Sequence, residues 1–452
     1  MSEVIPLKVL VSVYNFNPNK GSEFATGWNY VRAISLRNKV WVITRSAERE
    51  EMEQYLLQHP DAMPNVTVHY VPVKDRSFNF PLREILYYWI YRNWQWRAYK
   101  YCRALDARID FDVVHHITGI GFREPGYLWK LGKPFVWGPI GGLAFFPMKL
   151  LNAVPLRSRP FFVLKNLANA WSMYVARRPK RAAAAAQAII AATSGVADKV
   201  RTVWGRDATI SCEVSTPDLE LRRPVRRSSE EPLRIVWSGS CEPRKALNII
   251  LLALEQLKRA SVDWRLVAVG DGPLLGSWKA LSSSLGIDER CDFLGRVSRE
   301  EVLSVMASGH CFVQPSLYDA TSTVLAEALA HGLPVICLDH MGFKDVVNVE
   351  CGIKIPLNTL DHVIRDFAMA IEAIGLDEER RYEMAIAAQK ASMRLTWKYK
   401  ERFINGIYSR ILPETCLGTG KSPGAPNIIS SGLVFRDRSM INSDIIDPNH
   451  EV

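Results

Sequence analysis

The carboxylates of Asp319 and Glu327 lie on either side of a predicted junction between a loop and a helix. Three hydroxyl residues typical of helix N-termini follow the first carboxylate: Thr321, Ser322 and Thr323. A helix N-terminus carries unpaired N–H groups and the positive end of the helix dipole, both of which suit a phosphate. A carboxylate about two turns further along can accept hydrogen bonds from vicinal sugar hydroxyls. The pattern predicts a site for a phosphate and a sugar.

A basic pair, Arg244 and Lys245, follows a predicted strand that ends near Gly239. At a strand end, the planar fork of Arg and the point charge of Lys can neutralise a diphosphate. The alternative is that the pair only begins a solvated helix. A Gly-Asp-Gly turn at Gly270 comes between the basic pair and the carboxylates. Taken alone, such a turn is typical of any α/β protein.

In this order, followed by Gly332-Leu333-Pro334, the motifs resemble those of retaining glycosyltransferases with the GT-B fold, in particular glycosyltransferase family 4. The resemblance covers roughly residues 7–412. It implies that Lys245 and Arg244 hold the diphosphate of a nucleotide-sugar donor. Asp319 stands where the family usually has Glu. The other residues that the resemblance places at the donor are Gly239, Gly270, Thr321, Ser322, Thr323 and Glu327.

Two candidates lie in the first half of the chain. Gly21 precedes the first predicted helix, where the backbone could approach a phosphate, and a capped helix entry explains the same residues equally well. His115 and His116 end a predicted strand. The resemblance implies that a His near this point bonds the donor sugar, and His116 is our candidate, although either His fits. We expect no metal cofactor, because Arg244 and Lys245 carry the charge and His-rich ligand spacing is lacking.

Apolar strand-like runs alternate with helical patterns in two successive series, which predicts two Rossmann-like, doubly wound α/β domains facing across a cleft. Ligands should then bind at the carboxyl ends of the strands. The predicted organisation is an acceptor domain at 1–217, a linker at 218–232, a nucleotide-sugar domain at 233–396, a helix at 397–412 that returns to the first domain, and a disordered tail at 413–452.

The composition favours an anionic partner, since the net charge is +10 and the pI is about 9.1. Segments rich in aromatic and basic residues at 78–108 and 157–181 suit an anionic membrane surface. Nucleic-acid binding and core aromatics beneath a solvated basic face are the alternatives. The sequence begins without the pattern of a signal peptide, and no apolar run is long enough to span a bilayer. We expect a cytoplasmic protein, peripheral at the inner face of the membrane.

Together these features predict a retaining glycosyltransferase. It would move a sugar from a nucleotide-sugar donor to a sugar or lipid-linked glycan acceptor, in surface polysaccharide biosynthesis. An NAD-dependent oxidoreductase is one alternative, but the first strand-to-helix turn lacks the G-x-G-x-x-G pattern. A non-catalytic protein that binds a membrane or nucleic acid is another, and it leaves the basic and acidic pairs unexplained. We expect no nucleic-acid partner.

Overall fold

The computed structural model of the protein describes residues 6–21, 23–73, 82–216, 223–259 and 262–412, except for the side chains of residues 82–86 and 259. Two parallel sheets, one of seven strands and one of six, organise these residues. Their strands are short, apolar and buried, as parallel strands covered by helices on both faces must be. The architecture is therefore α/β, with two doubly wound layers as the sequence predicts.

The N-terminal sheet has the order β3-β2-β1-β4-β5-β6-β7. Its strands are β1 Lys8–Ser12, β2 Lys39–Arg45, β3 Val66–Val71, β4 Val113–His116, β5 Phe135–Ile140, β6 Ala188–Ala191 and β7 Thr209–Ile210. The helices around it are α1 Glu23–Ser35, α2 Arg49–Gln58, α3 Leu82–Ile109, α4 Arg159–Tyr174, α5 Arg177–Ala185 and α6 Ser194–Trp204. The order reverses between β1 and β4, so a crevice opens at their carboxyl ends.

The C-terminal sheet has the order β10-β9-β8-β11-β12-β13. Its strands are β8 Leu233–Ser238, β9 Trp264–Val269, β10 Cys291–Gly295, β11 Cys311–Gln314, β12 Val335–Leu338 and β13 Gly352–Ile355. Its helices are α7 Leu247–Gln256, α8 Leu275–Ser284, α9 Arg299–Ser308, α10 Thr323–Ala330, α11 Met341–Val346, α12 Leu360–Leu376 and α13 Glu378–Ser392. Here the order reverses between β8 and β11, which brings the predicted basic and acidic pairs to one crevice.

Helix α14, Trp397–Ile411, lies against α1 of the N-terminal sheet. Tyr408 Oη is 2.7 Å from His115 Nδ1, and Asn38 Nδ2 donates to Asn405 Oδ1 at 3.0 Å. The two chain segments that connect the domains run side by side, because Thr216 N donates to Leu395 O and Trp397 N donates to Thr216 O. The hinge therefore consists of two hydrogen-bonded segments.

A second connection between the domains is apolar. The turn at Met148–Ala153 buries Leu150 and Ala153 among the helices of the C-terminal domain, and Asn248 Nδ2 donates to Ala153 O at 3.0 Å. Farther along, the arginine-rich residues 223–232 are held by α13: Arg227 N donates to Glu378 Oε1 at 2.9 Å. This part of the predicted linker thus follows the surface of the C-terminal domain. The predicted tail at 413–452 lies outside the described residues.

Candidate functional site

Lys245 lies in a short turn, Pro243–Lys245, directly after β8. Its ammonium group is buried and pairs with the carboxylate of Asp319, which follows β11. Arg244 Nη1 lies 3.3 Å from the other oxygen of Asp319. The structure therefore brings together the predicted basic pair and the first predicted carboxylate at the carboxyl ends of two neighbouring strands.

This cluster is preorganised by its backbone. Leu317 N donates to Arg244 O at 2.8 Å, so the turn after β8 and the loop after β11 are tied to each other. Arg244 Nε also donates to Glu242 Oε2 at 2.9 Å. Arg244 and Lys245 are thus held in place by carboxylates, and phosphate oxygens that bind here can replace those carboxylates without a large movement of either side chain. The cluster can thus take up the charge that develops on a departing diphosphate.

The glycines of the predicted donor site have structural reasons of their own. Gly270 has φ +140°, and a Cβ there would lie 1.8 Å from Gly239 O. The turn after β9 therefore packs directly on the turn after β8. A Cβ on Gly239 would only meet Trp237 and the stem of Lys245 at ordinary distances. Gly270 accordingly shapes the floor beneath Lys245.

The loop before α10 differs in part from the prediction. Ser322 is the N-cap residue and has extended backbone angles, but no side chain caps the helix by a hydrogen bond. The prediction that these hydroxyl groups cap the helix is therefore wrong. The N–H of Thr321 donates to Glu213 Oε1 at 2.6 Å, which leaves it unavailable to a phosphate. Thr323 begins the helix, whose first N–H groups have no acceptor within the helix.

Glu327 is buried within α10, and Arg299 Nη2 of α9 lies 2.6 Å from its Oε1. Burial raises the pKa of Glu327, and the positive charges of Arg299 and His331 oppose that rise. The guanidinium of Arg299 is largely exposed, so it can shift when a ligand arrives. The second predicted carboxylate therefore has its own cation, separate from the cluster around Asp319.

The structure distinguishes His115 from His116. Both ring nitrogens of His115 are engaged, Nδ1 by Tyr408 Oη at 2.7 Å and Nε2 by Gly138 O at 2.8 Å. His116 Nδ1 is buried and has no hydrogen-bond partner among the described residues, and its Nε2 lies 3.5 Å from Tyr91 Oη. Burial lowers the pKa of His116 to about 4, so the ring is neutral at pH 7. His116 is the one with a free nitrogen for a ligand.

Gly21 lies beside an acidic group. A Cβ on Gly21 would meet nothing within 4 Å, so space is open there. Glu23, at the start of α1, accepts hydrogen bonds from Gly119 N at 3.0 Å and Ile120 N at 3.1 Å. Asn15 Nδ2 donates to the other oxygen of Glu23 at 2.7 Å, so this carboxylate is occupied by the protein itself. Gly21 itself stays a prediction.

Several residues at the cleft were not expected from the sequence. Tyr318 precedes Asp319, and Asn169 Nδ2 of α4 donates to its hydroxyl at 3.3 Å. Asp345 Oδ2 accepts from Ser194 N at 2.6 Å, across the two domains. Tyr318, Glu213 and Arg299 belong to no motif of the sequence, and their contacts with residues distant in the chain form only through the fold. Among the described residues, no group of three or more His, Cys, Asp or Glu is arranged to hold a metal ion.

Residues 220–391 match the family described as glycosyl transferases group 1. The matched segment contains the basic pair and both carboxylates.

Among curated proteins, the chain is similar to the gpi3 subunit of the phosphatidylinositol N-acetylglucosaminyltransferase of Schizosaccharomyces pombe, 29% identical over 27% of this chain and 26% of the relative. It is also similar to the D-inositol 3-phosphate glycosyltransferase of Rhodococcus erythropolis, 26% identical over 53% of this chain and 57% of the relative. The chain thus spans less than two thirds of the length of either relative.

Among solved structures, the lipopolysaccharide outer core galactosyltransferase WaaB superposes with a TM-score of 0.60 at 15% identity, over 89% of this chain and 100% of WaaB. HepE of Anabaena, in complex with UDP and glucose, superposes with a TM-score of 0.58 at 15% identity, over 89% of this chain and 100% of HepE. At these identities the likeness shows the fold, which is GT-B.

Proposed function

We propose that the chain is a retaining glycosyltransferase of the group 1 family that uses a nucleotide-sugar donor, on the premise that residues 220–391 match this family. The observation that carries the proposal is the cluster of Lys245, Arg244 and Asp319 at the carboxyl ends of β8 and β11. Such a cluster suits a diphosphate leaving group.

In the proposed reaction, the bond between the sugar and the diphosphate breaks while the acceptor hydroxyl attacks from the same face. Lys245, Arg244 and the start of α10 stabilise the departing charge, and the departing phosphate receives the proton of the attacking hydroxyl. No protein carboxylate acts as nucleophile, so the paired-carboxylate logic of glycosidases does not apply to Asp319 and Glu327. His116, being neutral, holds a sugar hydroxyl.

The test is a panel of UDP-, GDP- and dTDP-sugars and NAD, each added to the protein in a thermal-shift measurement. A ligand that binds only the folded protein raises its melting temperature. We expect one nucleotide-sugar class to do so, beginning with UDP-sugars, because HepE is seen with UDP-glucose. A shift with NAD alone would overturn the proposal. The anomeric configuration of the product, followed by NMR, then tests retention.

The proposed acceptor is a sugar or a lipid-linked glycan, and the proposed pathway is surface polysaccharide assembly. Support comes from the relatives, whose names give phosphatidylinositol and D-inositol 3-phosphate as acceptors, and from the lipopolysaccharide enzymes among the structural neighbours. A lipid-linked acceptor requires the N-terminal domain to reach a membrane surface. None of the described helices is long and apolar enough to cross one.

Of the two segments rich in aromatic and basic residues, the first has one core-facing side and one exposed side. Helix α3 buries one face, which consists of Tyr91, Trp94, Ala98, Cys102 and Leu105. Arg92 Nε donates to Glu124 Oε1 at 2.8 Å, and Arg97 Nη1 donates to Pro72 O at 3.5 Å. The side chains of residues 82–86 and all of residues 78–81 lie outside the described part. The opposite face of α3 exposes five aromatic rings, those of Tyr87, Tyr88, Trp89, Trp96 and Tyr101.

The second segment has the composition and the exposure of a membrane-facing surface. Helix α4 exposes a stripe at helical spacing, which we call the α4 stripe: Phe161, Leu164, Leu167, Trp171 and Tyr174. No Asp or Glu occurs between positions 125 and 197, whereas Arg157, Arg159 and Lys165 flank the stripe. Exposed rings and aliphatic groups beside basic residues suit an anionic bilayer interface. We therefore centre the proposed peripheral membrane contact on α4, with the exposed rings of α3 as a secondary surface.

A further inference from the structure

Glu213 reaches from the hinge into the donor loop. It lies between β7 and Thr216, where the chain leaves the N-terminal domain, and it is only 4% exposed. Its Oε1 accepts the N–H of Thr321 at 2.6 Å, and its Oε2 is buried with no hydrogen-bond partner among the described residues. A carboxylate that spans two domains and leaves one oxygen unsatisfied is costly, which indicates a task other than packing.

The segment that Glu213 holds contains Asp319. Gly342 N of α11 donates to Ala320 O at 2.7 Å, so residues 320 and 321 are held from two sides, by the hinge and by α11. Asp319 in turn pairs with Lys245 and Arg244. A displacement of Thr321 would therefore move the anion that orients both cations.

Charged and titratable groups surround Glu213. Lys400 of α14 is buried, and its Nζ donates to Ser211 Oγ at 2.8 Å and to Cys212 O. Tyr30 of α1 is buried and Cys212 is half-buried, and both are neutral, since burial raises the pKa of both groups. Burial also raises the pKa of Glu213 to about 7, and the nearby charge of Asp319 adds to the rise, while hydrogen bonding from Thr321 and the charge of Lys400 oppose it.

We propose that Glu213 is a positioning residue that, through the N–H of Thr321, fixes the donor loop so that Asp319 stays on Lys245 and Arg244. The proposal rests on the proposed glycosyl transfer at the same site. It assigns a role in that reaction to a hinge residue outside every motif of the sequence. The ionised carboxylate is the stronger acceptor for the N–H, so the loop is held best above neutral pH.

The test compares Glu213→Ala, Glu213→Gln and the wild type. We expect Glu213→Ala to lower kcat at least tenfold per folded protein with little change in KM, because the loop loses its acceptor. Glu213→Gln keeps an acceptor oxygen at every pH, so its kcat at pH 8 should stay within about threefold of wild type. The wild-type kcat should fall by up to about threefold, to the level of Glu213→Gln, as pH drops through about 7, because a protonated Glu213 keeps a neutral acceptor oxygen as Gln does. This acid limb should be missing in Glu213→Gln.

Whereas kcat should rise with pH, the contribution of Glu213 to the stability of the folded protein should fall as pH rises. The folded protein holds the Glu213 proton up to about pH 7, whereas an unfolded Glu releases it near pH 4.5. Burying the charge thus costs stability progressively as pH rises between these values, and the cost is fully present above pH 7. Glu213→Gln should therefore raise the melting temperature at pH 8 and leave it unchanged at pH 4.

The matched control is Glu378→Ala. Glu378 also accepts a backbone N–H, that of Arg227 at 2.9 Å, but on the far surface of the C-terminal domain. This variant should lower the melting temperature and leave kcat per folded protein unchanged. A loss of kcat in Glu213→Ala no larger than in the control, or a persistent acid limb in Glu213→Gln, would overturn the proposal.

A readout without any substrate separates this proposal from the glycosyl-transfer assignment. Hydrogen exchange, measured by mass spectrometry on peptides that cover residues 317–325, should be faster in Glu213→Ala than in wild type. Faster exchange in a protein that transfers no sugar would leave the positioning role standing and reject the proposed function. Unchanged exchange in an active enzyme would reject the positioning role alone.

Discussion

At the strand ends of the C-terminal sheet, the candidate residues are charged and already paired: Lys245 and Arg244 with Asp319, and Glu327 with Arg299. At the strand ends of the N-terminal sheet, the candidate His116 is neutral, lies near Tyr91, and is accompanied by Gln95, whose Nε2 donates to Tyr91 Oη at 2.7 Å. The nearby acidic residue, Glu23, accepts hydrogen bonds from the backbone. We call the first group the charged wall of the cleft and the second, after His116, the neutral wall, and the two differ in the chemistry that they offer to a ligand.

The difference matches the two ends of a nucleotide sugar. A diphosphate needs cations, whereas sugar hydroxyls need neutral donors and acceptors at fixed positions. The charged wall should therefore govern the departure of the nucleotide, and the neutral wall should govern the position of the sugar and its acceptor. Each of the following experiments separates the contributions of the two walls.

The largest effect is expected on the charged wall. Lys245→Ala should lower kcat by about 100-fold or more, since loss of a charge-assisted contact to a leaving group costs on the order of 3 kcal/mol. Steady-state kinetics on folded protein provides the measurement. Arg226→Ala is the control, because Arg226 pairs with Glu379 on an exposed surface of the same domain. Near-normal turnover of Lys245→Ala would show that Lys245 does not bind the departing diphosphate.

On the neutral wall, His116→Ala should lower kcat by roughly 10-fold, the value of about one hydrogen bond, and leave affinity for the free nucleotide unchanged. Because burial lowers the pKa of His116 to about 4, His116→Asn should keep any acid limb near pH 7. His115→Ala is the contrasting variant. It should lower the melting temperature, since His115 anchors α14. Equal losses of nucleotide affinity from His116→Ala and Lys245→Ala would erase the distinction between the walls.

The two carboxylates of the charged wall should separate as well. Glu327→Gln should weaken binding of free nucleotide by about 10-fold if Glu327 grips the ribose, because a hydrogen bond to a charged group contributes about 1.5–3 kcal/mol. Asp319→Asn should chiefly weaken binding of the intact donor. Calorimetry with nucleotide and with donor measures both. An unchanged nucleotide affinity in Glu327→Gln contradicts the ribose role.

The smallest effect concerns the outer surface of the neutral wall. Replacing Leu164, Leu167 and Trp171 of the α4 stripe with Ser should reduce co-sedimentation with anionic vesicles without lowering kcat on a short soluble acceptor. With neutral vesicles, co-sedimentation should be low for the wild type and unchanged by the three substitutions. Rising salt should release the wild-type protein, since the attraction is screened with a Debye length near 8 Å at physiological salt.

The α3 surface provides the control for that experiment. Lys100→Glu and Arg103→Glu change the charge of α3, whereas Arg92 is left intact because its partner Glu124 is buried. We expect less loss of vesicle binding than from the α4 stripe. Wild-type protein that stays in the supernatant with anionic vesicles at low salt would end the membrane proposal.

Much of the fold can be predicted from the sequence, because buried parallel strands consist of short apolar runs. Val9–Val13 and Ala188–Ala191 are such runs, and the strands Lys8–Ser12 and Ala188–Ala191 form there. The edge strands β7 and β10 are harder to predict, since Thr209–Ile210 is short and Cys291–Gly295 mixes polar and apolar residues. A strand that is covered on fewer sides needs less apolar sequence.

The residues of the candidate site also fall into two groups, those that the sequence predicts and those that it does not. Lys245 and Asp319 belong to local motifs at strand ends, so their meeting follows from the topology alone. Glu213 and Arg299 contact site residues distant in the chain and carry no local pattern. The choice between His115 and His116 depended on Tyr408, which is far away in sequence and reaches His115 only because α14 returns to the first domain.

Helix α14 also determines the order in which the protein can mature on the ribosome. Trp28, Tyr30, Val31 and Ile34 of α1 belong to the same buried cluster as Ile404, Ile407 and Tyr408 of α14. The first domain to be synthesised must therefore wait, with part of its apolar surface uncovered, until the entire second domain has been translated. Nascent chains that stop before residue 397 should be substrates for chaperones or aggregate, whereas loss of residues beyond α14 leaves this surface covered.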